Sequence, residues 1–269
     1  MVMSSFPLNV LVLWACSALI QLVVLILLFS KKSFRELPFF TVYVALNLSQ
    51  VAYLVIVYSI RGLALETTRN LAWYSECVTL FAQGWATTEI LKATLRPYQG
   101  IWGLVWRSLT GTSIVVVFLV ALATRGDWAT HKWFVLNRGY HLTFAATVIA
   151  CLFIVRYYSI QVPAAYKMIL GGFCFYSCTE ILINTVLQAL LKREFGAYQP
   201  IWQTWTMLSF MMVLFIWVAA LWKPLPVDAR RAPPPSDSIY QRLSPEINER
   251  LRELNEKLLR LWKMEARPQ

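Results

Sequence analysis

The sequence predicts an all-α fold: a polytopic membrane bundle of seven transmembrane helices, N-terminus outside, with a short cytoplasmic C-terminal helix. Three observations lead to it. The 269 residues are 58% hydrophobic and 14% charged, where a soluble domain would carry roughly 25% charge, and the mean hydropathy is +0.54. The apolar residues fall in runs long enough to cross about 30 Å of hydrocarbon at 1.5 Å per residue. The segments between the runs are short and polar, as in SKKSFRE, RGLALETTRN and RGDWATHK.

The first run, 9–29, follows Met1-Val-Met-Ser-Ser-Phe-Pro7, which has neither a basic n-region nor a small-residue cleavage site, so a retained helix is expected. Lys31, Lys32 and Arg35 after it place its far end inside. The second, 37–60, opens at Pro38, where a missing N–H costs nothing, and carries Asn47 and Gln50 on one face. On the third, 71–95, Glu76, Gln83 and Thr87 fall within about 20° of one line at 100° per residue, and Glu89 lies about 140° away. Glu89 is expected to meet Lys92 at i, i+3 and reach the inner interface. The fourth, 103–124, follows Pro97; the fifth, 134–155, holds Arg138 and His141 one turn apart. The sixth, 164–191, follows Pro163 and carries Glu180, Asn184 and Gln188 on one face. The seventh, 200–222, opens at Pro200.

With the N-terminus outside, nine Lys and Arg fall on the inner side and seven on the outer, and Arg230 and Arg231 add to the inner count. That asymmetry sets the orientation of a multi-pass protein of the cytoplasmic membrane with its C-terminus in the cytoplasm. The net charge of +11 is thereby spent on topology and anionic lipid rather than on nucleic acid. Trp73, Trp102, Trp106, Trp128, Trp133, Trp202, Trp205 and Trp222 lie near run ends, where amphipathic rings prefer the interface. Trp85 and Trp217 are deeper and either pack or line a pocket.

The chain divides into a transmembrane domain, 1–222, a Pro-rich linker, 223–243, and a cytoplasmic amphipathic helix, 244–266. Pro233-Pro234-Pro235 make the linker a semi-rigid spacer, and Ser244-Pro245 read as N-cap and first helical residue. Ile247, Leu251, Leu254, Leu258 and Leu261 form a narrow stripe at alternating spacings of four and three, flanked by nearly balanced charge. A membrane-surface helix would be broader and more basic. The stripe is therefore the expected partner-binding face, for a second copy or a cytoplasmic protein. The recurrence of TEIL at 88–91 and 179–182, and of YQGIW as YQPIW, hints at an inverted repeat.

Mid-depth polar residues point to a site. An ionisable side chain there is costly unless paired, hydrated or protonated, and faces the bundle interior. Glu180 has no charged neighbour at i±3 or i±4, so its partners must come from other helices. Two readings stand: a neutral acid in an interhelical hydrogen-bond network, or the floor of an outward-facing polar cavity. The cavity reading gathers Glu180, Asn184, Gln83, Asn47 and Gln50, with Glu76, Arg138 and His141 at its mouth, around a small-molecule ligand. Glu76 and Arg138 would pair if their helices are neighbours.

Enzyme templates are absent: no HExxH, GxSxG, P-loop or Cys/His zinc spacing occurs. No catalytic residue, metal or cofactor is expected. Cys16, Cys77, Cys151, Cys174 and Cys178 all sit in apolar runs, and no His completes a ligand set with the Cys174/Cys178 pair, so buried thiols are expected. The segment TEILKATLRPYQGIW, with Glu89, Arg96 and Pro97-Tyr98, resembles a set of uncharacterised small bacterial seven-helix integral membrane proteins. Their third helix ends with a Glu, a basic residue and Pro-Tyr. The resemblance implies the topology and no activity. Three functions are compatible: a receptor-like sensor whose tail helix reports to a partner, a small-molecule or proton-coupled transporter, or a structural subunit of a membrane complex.

Overall fold

The computed structural model describes residues 8–61, 66–95, 129–157, 162–190 and 195–222, with scattered positions in 102–118 and 249–260. Six long helices result: α1 (Leu8–Ser30), α2 (Pro38–Arg61), α3 (Glu66–Leu95), α4 (Ala129–Tyr157), α5 (Ala164–Leu190) and α6 (Phe195–Trp222). A single 3₁₀ turn, Ser33–Arg35, joins α1 to α2. The described residues between Trp102 and Phe118 are helical, but most of the expected 103–124 span lies outside the described residues. Among the described residues no strand occurs.

Among the described residues, five helices contain stretches long and apolar enough to cross a membrane: Leu11–Ser30, Pro38–Tyr58, Asn137–Arg156, Ala164–Val186 and Thr204–Trp222. α3 matches them in length but is more polar. The outer surface agrees with a lipid solvent. Phe153 is 69% exposed and Leu182 66%, and similar residues stud every helix, whereas Gln21, Gln83, His141, Glu180 and Asn184 are buried. In water such apolar exposure would drive association; in hydrocarbon it is the ground state.

Three boundaries differ from expectation. α3 and α4 each begin five residues early, through Glu66-Thr-Thr-Arg-Asn70 and Ala129-Thr-His-Lys-Trp133. Hydropathy reads such polar turns as loop, yet a helix continues past the hydrocarbon at no cost in water. α6 begins at Phe195, so Pro200 sits inside it rather than in its first turn. The carbonyl four residues earlier, at Gly196, then lacks an N–H donor. Pro38 does open α2.

The helices close into a ring in which α1 packs on α2 and α6, α2 on α3, α5 on α4 and α6, and α3 also touches α5. Contact pairs give the directions. Trp14 stacks on Tyr58 at one end of α1 and α2, and Phe29 meets Phe34 at the other. Between α3 and α4 the pairs run the same way: Asn137 bonds Glu76, and Tyr140 bonds Leu80. These two helices are parallel neighbours.

The interior is divided along its length. The half that holds the Ser30, Pro38, Leu95, Ala164 and Trp222 ends has a mainly apolar core, in which Thr87 and Thr94 are also buried. Leu28, Phe40, Ile90, Leu91, Ile169, Phe173, Leu214 and Trp217 are all fully buried there. Trp217 is its hub, with ring centroids 5.0 Å from Phe173, 5.1 Å from Phe40 and 5.9 Å from Tyr43. Such edge-to-face and tilted pairs add about 0.5–1.5 kcal/mol each beyond burial. Gly172 makes this packing possible: a Cβ there would lie 2.6 Å from Trp217 Nε1. The indole N–H donates to the Ile169 carbonyl at 3.3 Å, which satisfies it in the core.

One cap comes from across the bundle. The Glu89 carboxylate accepts the Phe40 N–H at 3.1 Å. Phe40 lies in the first turn of α2, where backbone N–H groups have no partner within the helix and the dipole favours an anion. Glu89 therefore serves the start of α2, a role the sequence reading did not assign to it.

Candidate functional site

The other half of the bundle is polar inside. Glu76 lies ten residues from Glu66, Glu180 ten from Leu190 and His141 twelve from Ala129. At 1.5 Å per residue all three sit about 15–18 Å in from the helix ends on the same side. The layer draws on three helices.

α5 contributes Ser177, Glu180 and Asn184, spaced by three and four and all buried. Asn184 Nδ2 donates to Glu180 Oε2 at 3.3 Å, and the Tyr176 phenol acts on the same carboxyl. α4 contributes Asn137, Tyr140 and His141. Asn137 Nδ2 donates to Glu76 Oε1 at 3.3 Å, the Tyr140 hydroxyl donates to the Leu80 carbonyl at 2.8 Å, and His141 Nδ1 lies 3.2 Å from Ser177 Oγ. α3 contributes Glu76.

The layer does not satisfy itself. Glu180 Oε1, Asn184 Oδ1, Asn137 Oδ1 and Gln83 Nε2 are buried with no hydrogen-bond partner among the described residues, as are both amide atoms of Gln21 on α1. Buried polar atoms in this state are rare in folded proteins, and in hydrocarbon each is costly.

The expected site residues divide. Glu180, Asn184 and Glu76 lie in this layer, and Gln83 is buried two turns further along α3. His141 was expected at the mouth and is instead 1% exposed inside it, because the face it shares with Phe144 and Val148 turns inward. Arg138 is half-buried one residue beyond Asn137, and it is the Asn137 amide that donates to Glu76. Asn47 and Gln50 are half-buried on α2 and bonded elsewhere: Asn47 Nδ2 to the Tyr43 carbonyl at 2.9 Å, and Gln50 Nε2 to Ser75 Oγ at 3.1 Å. Asn137, Tyr140 and Ser177 were missed. The three–four spacing around Glu180 would have found Ser177; the other two act across helices, where no spacing signals a partner.

In the tail, Glu249, Arg252–Lys257 and Arg260 are helical. Lys257–Glu253 at 3.9 Å, Arg260–Glu256 at 3.9 Å and Arg252–Glu256 at 3.6 Å are i, i+4 ion pairs. Such exposed pairs stabilise a helix by about 0.3–0.5 kcal/mol each. Leu254 is 39% exposed; Ile247, Leu251, Leu258 and Leu261 lie outside the described residues.

Among the described residues no group of three His, Cys, Asp or Glu is placed to hold a metal ion. No protein-family model, curated protein or solved structure matches the chain. Fold and site together describe a membrane-embedded, all-α protein with a polar layer in one half of its interior.

Proposed function

We propose that this is a receptor-like sensor of the cytoplasmic membrane, with seven spans, N-terminus outside and C-terminus inside. The polar half of the bundle receives a small ligand from the outer side, and the tail helix reports to a protein partner. The observation that carries the reading is the division of the interior. A through-path would need polar or small residues along its whole length. Here the polar layer is backed by the aromatic plug of Phe40, Tyr43, Phe173 and Trp217, which favours one-sided access.

The shared direction of α3 and α4 supports the count of seven, since a chain that returned across the bundle between Leu95 and Ala129 would supply the further span. The helical, apolar positions between Trp102 and Phe118 supply the means. With the N-terminus outside, the polar half faces outward.

Transport is the second reading, favoured by two carboxyls and a His at one depth, the composition of proton relays. The purified protein in proteoliposomes separates the two. The sensor reading expects no proton flux under an imposed gradient. It also expects a spin label at Leu254→Cys, in a background lacking the five native Cys, to change mobility when the protein is challenged with a panel of amino acids, organic acids and sugars. Sustained flux with a silent tail selects transport.

A further inference from the structure

The turn between α1 and α2 presents three cations close together in the chain. Lys31, Lys32 and Arg35 are all exposed, and among the described residues none of them forms an ion pair. Glu36, the adjoining acid, is half-buried and already engaged. The turn itself is firmly tied. The Lys31 N–H donates to the Leu27 carbonyl and the Lys32 N–H to that of Phe29, both at 3.0 Å, and the Leu37 N–H donates to the Ser33 carbonyl at 2.9 Å. Ser33 and Leu37 are buried, so the exposed cations stand on a fixed base.

Lys32 adopts a φ of 55° and is the single non-glycine residue with positive φ among the described residues. Just past a helix C-terminus this left-handed conformation is the usual place of glycine or asparagine, because a longer side chain crowds the backbone there. Exposed and without an ion pair, the Lys32 side chain does nothing within the fold to offset that strain. A backbone outlier of this kind points to a function outside the chain.

Aromatic rings flank the cations. Phe29 and Phe34 have centroids 5.3 Å apart, Phe29 is 56% exposed, and the Arg35 guanidinium carbon lies 5.7 Å from the Phe34 centroid. Fixed cations beside exposed rings match a molecule that is anionic at its head and apolar behind it. Cations after a helix C-terminus also suit the helix dipole and orient a chain as it inserts. Neither role requires Lys at the left-handed position.

We propose that the α1–α2 turn binds the headgroup of an anionic phospholipid, with Lys31, Lys32 and Arg35 on its phosphate and Phe29 and Phe34 against the start of its acyl chains. Lys92, Arg156 and Lys167, exposed at the same end of the bundle, add a diffuse attraction to the same surface. The site is separate from the sensor reading: a receptor, a transporter or a structural subunit would hold such a lipid equally well.

The test uses the full-length protein in a neutral detergent, unfolded by heat under tryptophan fluorescence. Phosphatidylglycerol, phosphatidylcholine with the same acyl chains, or inorganic phosphate is titrated in. Phosphatidylglycerol should raise Tm to a plateau, with no such rise from phosphatidylcholine or from phosphate. Lys32→Gly relieves the left-handed strain, so its lipid-free Tm should not fall below that of the wild type. Its phosphatidylglycerol midpoint should nevertheless rise about fivefold, the weight of one cation at an anionic surface. Lys167→Gln, which removes an exposed cation from α5, should leave the midpoint unchanged. No rise with phosphatidylglycerol, an equal rise with phosphatidylcholine, or a rise reproduced by phosphate would each overturn the proposal. So would an unmoved midpoint in Lys32→Gly, or an equal shift in Lys167→Gln. The comparison of lipids on the unaltered protein stands even where a variant fails to fold. Failure of the sensor reading would show at the Leu254 label and leave these titrations untouched.

Discussion

The Asn137 amide donates to the Glu76 carboxylate across 3.3 Å, and with Tyr140 on Leu80 it ties α3 to α4 side by side and pointing the same way. Parallel neighbours cannot be joined by a short turn. This one relationship therefore supports the proposed seven-span count and holds Glu76 against α4.

Tyr140→Phe removes the 2.8 Å bond to the Leu80 carbonyl and nothing else from the ring. The expected loss is about 0.5–1.5 kcal/mol, read from thermal unfolding in detergent. A neutral result would mean that α3 and α4 are held together by their apolar contacts alone.

Glu180 separates charge from hydrogen bonding. Glu180→Gln keeps an acceptor for Asn184 Nδ2 and should leave Tm close to that of the wild type. Glu180→Leu strands that donor in the interior and should cost about 1–3 kcal/mol. If Gln is as damaging as Leu, the negative charge itself holds the layer together.

Gly172→Ala drives a methyl to within 2.6 Å of Trp217 Nε1, in a core where the indole cannot swing away. Overpacking of this kind costs about 1–3 kcal/mol. Paired with Trp217→Phe, which removes the clashing atom, the two changes should be clearly less damaging than their sum. Strict additivity would contradict the close approach of α5 to α6.

Glu89→Ala removes the anion from the first turn of α2. A loss of about 0.5–2 kcal/mol is expected, as for other N-caps. Glu89→Gln should recover most of it, because the amide oxygen still accepts the Phe40 N–H. Equal damage from both would assign the role of Glu89 to its charge rather than to this bond.

These contacts also show what periodicity can and cannot reveal. Glu180 and Asn184 were legible as a pair because both lie on one helix, where spacing fixes the shared face. Inward burial of Glu180 followed from the cost of a carboxyl in hydrocarbon. The partners of Glu76 and Glu89 were not legible, since they depend on how neighbouring helices rotate and slide. His141 was misplaced for the same reason: depth was readable, but its rotation toward Ser177 was not. Nothing in the spacing around Gly172 signals its use, which depends on Trp217 standing opposite on α6. Helix cores were found within a few residues, while the polar first turns of α3 and α4 were not, because hydropathy reports solvent rather than backbone.

Thiol accessibility tests the central claim, a polar half open to one side of the membrane and a mainly apolar half closed to both. In a background lacking the five native Cys, single Cys residues at Asn184 and at Leu170 are exposed to a membrane-impermeant, thiol-reactive reagent in sealed, oriented vesicles. The account predicts that Asn184→Cys is labelled from the outer side only and Leu170→Cys from neither. Labelling at Leu170, labelling of Asn184→Cys from the inner side, or no labelling at either position would contradict it.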